Sequence, residues 1–97
     1  MTRFPVVRHD IAVVLDDQLP QAEVEALIWA NGAPLLAELE LFDLYRGSSI
    51  PEGKKSLAYA LTYRAPDRTM ADEDVSSVEA KVVGALATRF GATLRGR

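Results

Sequence analysis

From Ser56 to Arg64 the chain alternates without a break, with Leu57, Tyr59, Leu61 and Tyr63 set against Ser56, Ala58, Ala60 and Thr62. Side chains on an extended strand point to opposite faces with a period of two. This segment therefore commits a sheet to one bulky face that builds a core and one face paved with small side chains.

The rest of the chain supplies partners for that strand. Ile11, Val13 and Leu15 alternate with Asp10, Ala12, Val14 and Asp16, and their β-branched content predicts another strand. Pro20 suits the first turn of a helix running to about Asn31, with Val24, Leu27 and Ile28 on one side and Gly32 as its stop. Leu36 to Tyr45 reads as a strand whose apolar phase slips from Leu39 and Leu41 to Phe42 and Leu44, the mark of a bulge or edge irregularity. After the turn Ala65-Pro66-Asp67-Arg68, a second helix spans about Asp72 to Arg89, with Val75, Val78, Val82, Ala85 and Leu86 at helical spacing and Gly91 at its end. Ala92 to Arg95 is a short final strand.

The order βαββαβ has one familiar compact solution, the α+β ferredoxin-like sandwich. In it two right-handed βαβ units interlock, and both helices cover one face of a four-stranded antiparallel sheet. The other face stays open. By alternation Ala12, Ser56, Ala58, Ala60, Asp43 and Tyr45 look out from it, an arrangement on which RNA-recognition modules lay bases. A covering domain is the alternative use of such a face.

Composition narrows the class. Ninety-seven residues make one domain spanning 1–97, able to bury roughly 65% of its unfolded surface. No cysteine is present, which excludes disulfides, thiolate zinc sites and cysteine nucleophiles. The longest apolar run, Ile11 to Leu15, is too short to span a bilayer, and the first five residues lack the apolar centre of a signal peptide. The expectation is a soluble cytoplasmic chain with no membrane partner. The net charge of −3 argues against a nucleic acid until its distribution is considered. Residues 46 to 64 carry a local balance of +3 from Arg46, Lys54, Lys55 and Arg64 against Glu52. The acids gather at the helix starts, as Glu23 and Glu25 or Asp72, Glu73 and Asp74, where they complement the dipole.

The hairpin between Leu41 and Ser56 thus combines a ring (Tyr45), a carboxylate (Asp43), a hydroxyl (Ser56) and three cations (Arg46, Lys54, Lys55). Single-stranded nucleic acid asks for that set: rings stack on bases, cations meet phosphates and short polar groups read base edges. A solvated hairpin end is the plainer account of the two lysines. The stretch from Gly47 to Lys55 is not a phosphate loop, because Lys55 stands where Ser or Thr is needed and a strand follows where a helix is required. His9, the sole histidine, lacks ligand spacing and reads as a packed or solvated strand residue. Asp16 and Asp17 read as solvated loop carboxylates rather than an acid–base pair. Trp29 projects away from the apolar side of its helix, toward solvent or a neighbouring domain. Two rival classes are a ferredoxin-like small-molecule-binding regulatory or protein-interaction domain, and an acylphosphatase-like enzyme. The latter needs an arginine cradle and a catalytic asparagine, and the only asparagine, Asn31, stands at a helix end without such a cradle before it.

Four motifs carry a family resemblance: Phe4-Pro5-x-x-Arg8-x-Asp10-Ile11-Ala12, Leu41 to Gly47, Ile50 to Ala58, and Arg64-x-Pro66-x-Arg68-Thr69-Met70. With Arg89-Phe90-Gly91-Ala92-x-Leu94-Arg95 at the end, they make essentially the whole chain resemble the ferredoxin-fold anticodon-binding domain that closes the β subunit of bacterial phenylalanyl-tRNA synthetase. The resemblance implies a C-terminal fragment of a longer β subunit, non-catalytic in itself. Its implied partners are the anticodon stem-loop of the phenylalanine tRNA, the remainder of the β subunit and the α subunit. No cofactor is implied here, since ATP and magnesium are used in the α subunit. The positions matching Asp43, Tyr45 and Ser56 contact the anticodon in the family, the tyrosine by stacking on its first base. Ala71 departs from the family's Thr or Ser, leaving Asp74 as the remnant of a capping box and predicting a weaker helix start.

Overall fold

In the computed structural model, which describes residues 5–95, the elements run β1 (Val7–Asp16), α1 (Gln21–Gly32), β2 (Leu36–Tyr45), β3 (Lys54–Tyr63), α2 (Asp72–Phe90) and β4 (Thr93–Leu94). Phe4, which opens the first motif, lies outside the described residues. The strands form one antiparallel sheet in the order β2-β3-β1-β4. This is the expected ferredoxin-like sandwich. Pairing lengthens both central strands beyond their alternating cores, since β1 and β3 stay in register from Val7 opposite Tyr63 to Asp16 opposite Lys54. Charged residues such as Arg8, Asp10 and Lys54 enter the ladder on that pairing, which overrides weak strand propensity.

The bulky face of β3 is the core. Leu57, Tyr59, Leu61 and Tyr63 are all 0% exposed, packed with Ile11, Val13 and Leu15 of β1, Val24 and Ile28 of α1, and Val75, Val82 and Leu86 of α2. A helix carboxylate acts on each buried tyrosine, Glu25 on Tyr59 and Glu79 on Tyr63, but only the Tyr59 hydroxyl is hydrogen-bonded. The Tyr59 hydroxyl donates to Glu25 Oε2 at 3.1 Å, and burial first, then the Glu25 charge, holds that phenol above its ordinary value. Burial and Glu79 do the same to Tyr63. His9 Nδ1 lies 3.2 Å from Glu79 Oε1 at the half-exposed rim of α2, a strand residue as expected.

Strand β2 is irregular twice. Leu39 and Leu41 pair with Leu61 and Tyr59 on the core side, then the register shifts and Asp43, Leu44 and Tyr45 pair with Ala58, Leu57 and Ser56. Phe42 is the extra residue, and its phase slip is the one visible in the sequence. With a strict period of two, residues 39, 41, 43 and 45 would share the core side. The bulge reverses that parity and turns Asp43 and Tyr45 to the open face. A second shift, between Leu36 and Glu38, keeps Leu36 buried opposite Tyr63.

The helix ends follow local chemistry. Gly91 has φ 66°, a left-handed cap that glycine takes without strain, and its N–H bonds to the Ala87 carbonyl. At the other end of α2, Asp74 accepts the Ala71 N–H at 2.9 Å, a bond that lowers the Asp74 pKa, but Ala71 has no side-chain oxygen with which to reciprocate. Half of a capping box is present. Trp29 on α1 is 39% exposed.

Candidate nucleic-acid interface

Cross-strand partners share a face, so the ladders define what the open side presents. One row runs Thr93, Val14, Ser56, Tyr45 and the next Ala12, Ala58, Asp43; Arg95 joins the second by donating its backbone N–H to the Ala12 carbonyl at 2.8 Å. The floor is small, as alternation predicts. A hollow of about 180 Å³ lies on it, bounded by Asp10, Ala12, Phe42, Ala58 and Arg95 among others. Drug-sized ligands ask for about 300 Å³ or more. The space suits one planar ring laid on the sheet.

Tyr45 is fixed from three directions. Ser49 Oγ donates to its hydroxyl at 3.1 Å, Gly47 leaves room for the ring where any side chain would collide with it, and the Arg95 guanidinium sits 4.6 Å from the ring centroid. Arg95 also donates to Ser49 Oγ at 3.2 Å. The hydrogen bonds with Ser49, with the Arg95 charge behind them, lower the Tyr45 pKa from its ordinary value. Asp43 is exposed beside this group, whereas Ser56 is only 3% exposed.

The three hairpin cations take three different places. Lys54 has open-face parity, opposite Asp16, is half-buried, and makes no ion pair among the described residues. Arg46 pairs with Asp17, keeping about half of its side chain exposed (54%). Asp17 is therefore an ion-pair partner rather than the solvated carboxylate expected. Lys55 is the larger correction. It stands opposite Leu15 on the helix side, is 6% exposed, and donates its Nζ to the Leu19 carbonyl at 2.7 Å. Adjacent residues of a strand cannot share a face, so once Ser56 looks out Lys55 must look in. With a backbone bond from Asp17 to Gly53, these contacts moor the hairpin to the loop after β1.

Three members of the face went unread in the sequence: Arg95, Ser49 and Phe42. Arg95 follows a two-residue strand too short to show alternation, and Ser49 is in a loop without spacing. Phe42, 49% exposed, had its signal in the phase slip, which also fits a core residue. Among the described residues no group of three or more His, Cys, Asp or Glu is placed to hold a metal ion, and no helix is long and apolar enough to cross a membrane.

The model of the ferredoxin-fold anticodon binding domain matches residues 2–95. The chain belongs to that family. The domain is 42% identical over 95 residues to the phenylalanine–tRNA ligase β subunit of Clostridium tetani, covering 98% of this chain and 12% of that protein. It is 45% identical over 94 residues to the β subunit of Geobacillus kaustophilus, and 46% identical over 94 residues to that of Anaeromyxobacter dehalogenans, each covering 97% of this chain and 12% of the relative. The domain thus spans about an eighth of the length of these relatives.

Proposed function

We propose that this domain holds the anticodon stem-loop of the phenylalanine tRNA during aminoacylation, as the C-terminal, non-catalytic part of a phenylalanine–tRNA ligase β subunit. The observation that carries the proposal is the open sheet face, where Asp43 and Tyr45 are turned by a bulge to stand with Ser56 over a floor of alanines. Tyr45 stacks on a base, Asp43 and Ser56 read base edges, and Lys54 with the exposed half of Arg46 meets phosphates. Lys55 serves by securing the hairpin from the other side of the sheet. The rest of the β subunit and the α subunit are the protein partners, ATP and magnesium belong to the α subunit, and the setting is the cytoplasm. The regulatory-domain alternative is disfavoured by the small hollow and the edge cations.

Binding of the domain to a synthetic anticodon stem-loop tests this. Tyr45→Ala should weaken binding by ~1–3 kcal/mol, the usual worth of one base stack, with the unfolding midpoint unchanged. Asp43→Ala and Ser56→Ala should erode discrimination between cognate and altered anticodons more than overall affinity. Wild-type binding by the Tyr45 variant, or equal losses on both RNAs, overturns the assignment.

A further inference from the structure

Tyr45 and Arg95 belong to opposite edges of the sheet, β2 and the end of β4. Strands are about 4.8 Å apart, so roughly 14 Å separates those edges. Two side chains that meet at 4.6 Å across that span must arch over the two central strands, above the rows that hold Ala12, Ala58 and Ser56. The arch spans Ser56, the ladder partner of Tyr45, which is only 3% exposed. It also occupies one flat side of the tyrosine ring, the surface that base stacking needs.

Resting on the anticodon reading of this face, we infer that Arg95 is a second stacking plane, and that one RNA base enters between the Tyr45 ring and the Arg95 guanidinium. A guanidinium is planar and stacks on bases as it does on aromatic faces, so it exchanges one flat partner for another. Its stem is tethered: the Arg95 backbone N–H is fixed to the Ala12 carbonyl, so the head lifts while the residue stays over the site. Ser49 is the latch. Its hydroxyl bridges the Arg95 Nη2 and the Tyr45 hydroxyl in the free domain, and entry of a base breaks the Arg95 side of that bridge. The same movement uncovers Ser56 for a base edge.

The test is a double-mutant cycle on binding of the domain to the anticodon stem-loop, with folding of each variant checked by circular dichroism. Arg95→Lys keeps the charge and removes the plane. It should weaken binding by roughly 5-fold or more, the lower end of a base stack, while leaving the salt dependence unchanged. Arg95→Gln keeps a planar head without charge and should lose less than Arg95→Lys at high salt. In a Tyr45→Leu background Arg95→Lys should cost almost nothing. Wild-type affinity for Arg95→Lys, or an equal cost in both backgrounds, overturns the clamp and leaves Arg95 a simple phosphate contact or a bystander. Wild-type affinity for Tyr45→Leu alone overturns the anticodon reading itself, and the clamp with it.

Discussion

The two faces of β3 divide the molecule's tasks residue by residue. On one, Leu57, Tyr59, Leu61 and Tyr63 are wholly buried, with the Tyr59 hydroxyl bonded to Glu25 and the Tyr63 hydroxyl enclosed without a hydrogen-bond partner. On the other, Ser56 and Ala58 stand beneath Tyr45, Asp43 and Arg95, whose contacts are few, polar and exchangeable. On the proposed function, stability and recognition are separated by one step along a single strand, about 3.3 Å. Changes on the helix side should alter unfolding, and changes on the open side should alter binding.

The sharpest challenge to that division is Leu61→Ala, which should destabilise by ~2–5 kcal/mol by emptying a site with no exposed surface. Denaturation with urea measures it. A loss under about 1 kcal/mol would mean that the core does not rest on this face.

Lys54 and Lys55 put neighbouring residues on opposite sides of the line. Lys55→Ala should cost ~1–3 kcal/mol of stability, because the Leu19 carbonyl loses a charged donor, and should leave the salt dependence of RNA binding intact. Lys54→Ala should do the reverse, lowering the log–log salt slope by roughly 0.7 with little change in stability. Identical behaviour of the two variants in paired salt titrations would erase the distinction.

Alkaline pH sets the two buried tyrosines of the helix side against Tyr45 on the open face, whose pKa is shifted the other way. Tyr59 and Tyr63 have folded pKa values raised above their unfolded value of about 10, so above that pH the native state binds more protons than the unfolded chain. Their contribution is complete below about pH 10 and declines as pH rises further. Tyr59→Phe should lose ~0.5–1.5 kcal/mol at neutral pH, the worth of the bond to Glu25, and should show a shallower alkaline decline. Urea midpoints across that range decide it, and an unchanged decline would place the titration elsewhere.

The smallest effect is a gain. Ala71→Thr should stabilise by ~0.5–1 kcal/mol, since a hydroxyl there completes the box that Asp74 half supplies, with RNA binding untouched because α2 lies on the helix side. No rise in the denaturation midpoint would show that the extended Ala71 backbone holds a hydroxyl out of reach.

How far the sequence spoke depended on periodicity. The ten-residue strands and the amphipathic α2 repeat often enough to reveal their buried sides, and from β1 and β3 the sandwich and its open floor were legible. The Phe42 slip was legible as well, because leucines flank it. The shift after Leu36 was not, since Ala37 is small and disturbs no apolar phase. The charge of Lys55 suggests an exposed side chain, but its parity to Ser56 on β3 turns it inward. Arg95 escaped because a two-residue strand has no period, and its partner Tyr45 is fifty residues away in the chain.

The bulge at Phe42 has a genetic counterpart. Substitutions along β2 can change which groups Asp43 and Tyr45 present, but only a change in length can decide which way they point. One in-frame codon, gained or lost in this stretch, therefore separates a ladder that displays a tyrosine to a partner from one that turns it inward. A reading of variants in this domain that weighs only amino-acid exchanges would overlook the lesion with the largest consequence for recognition.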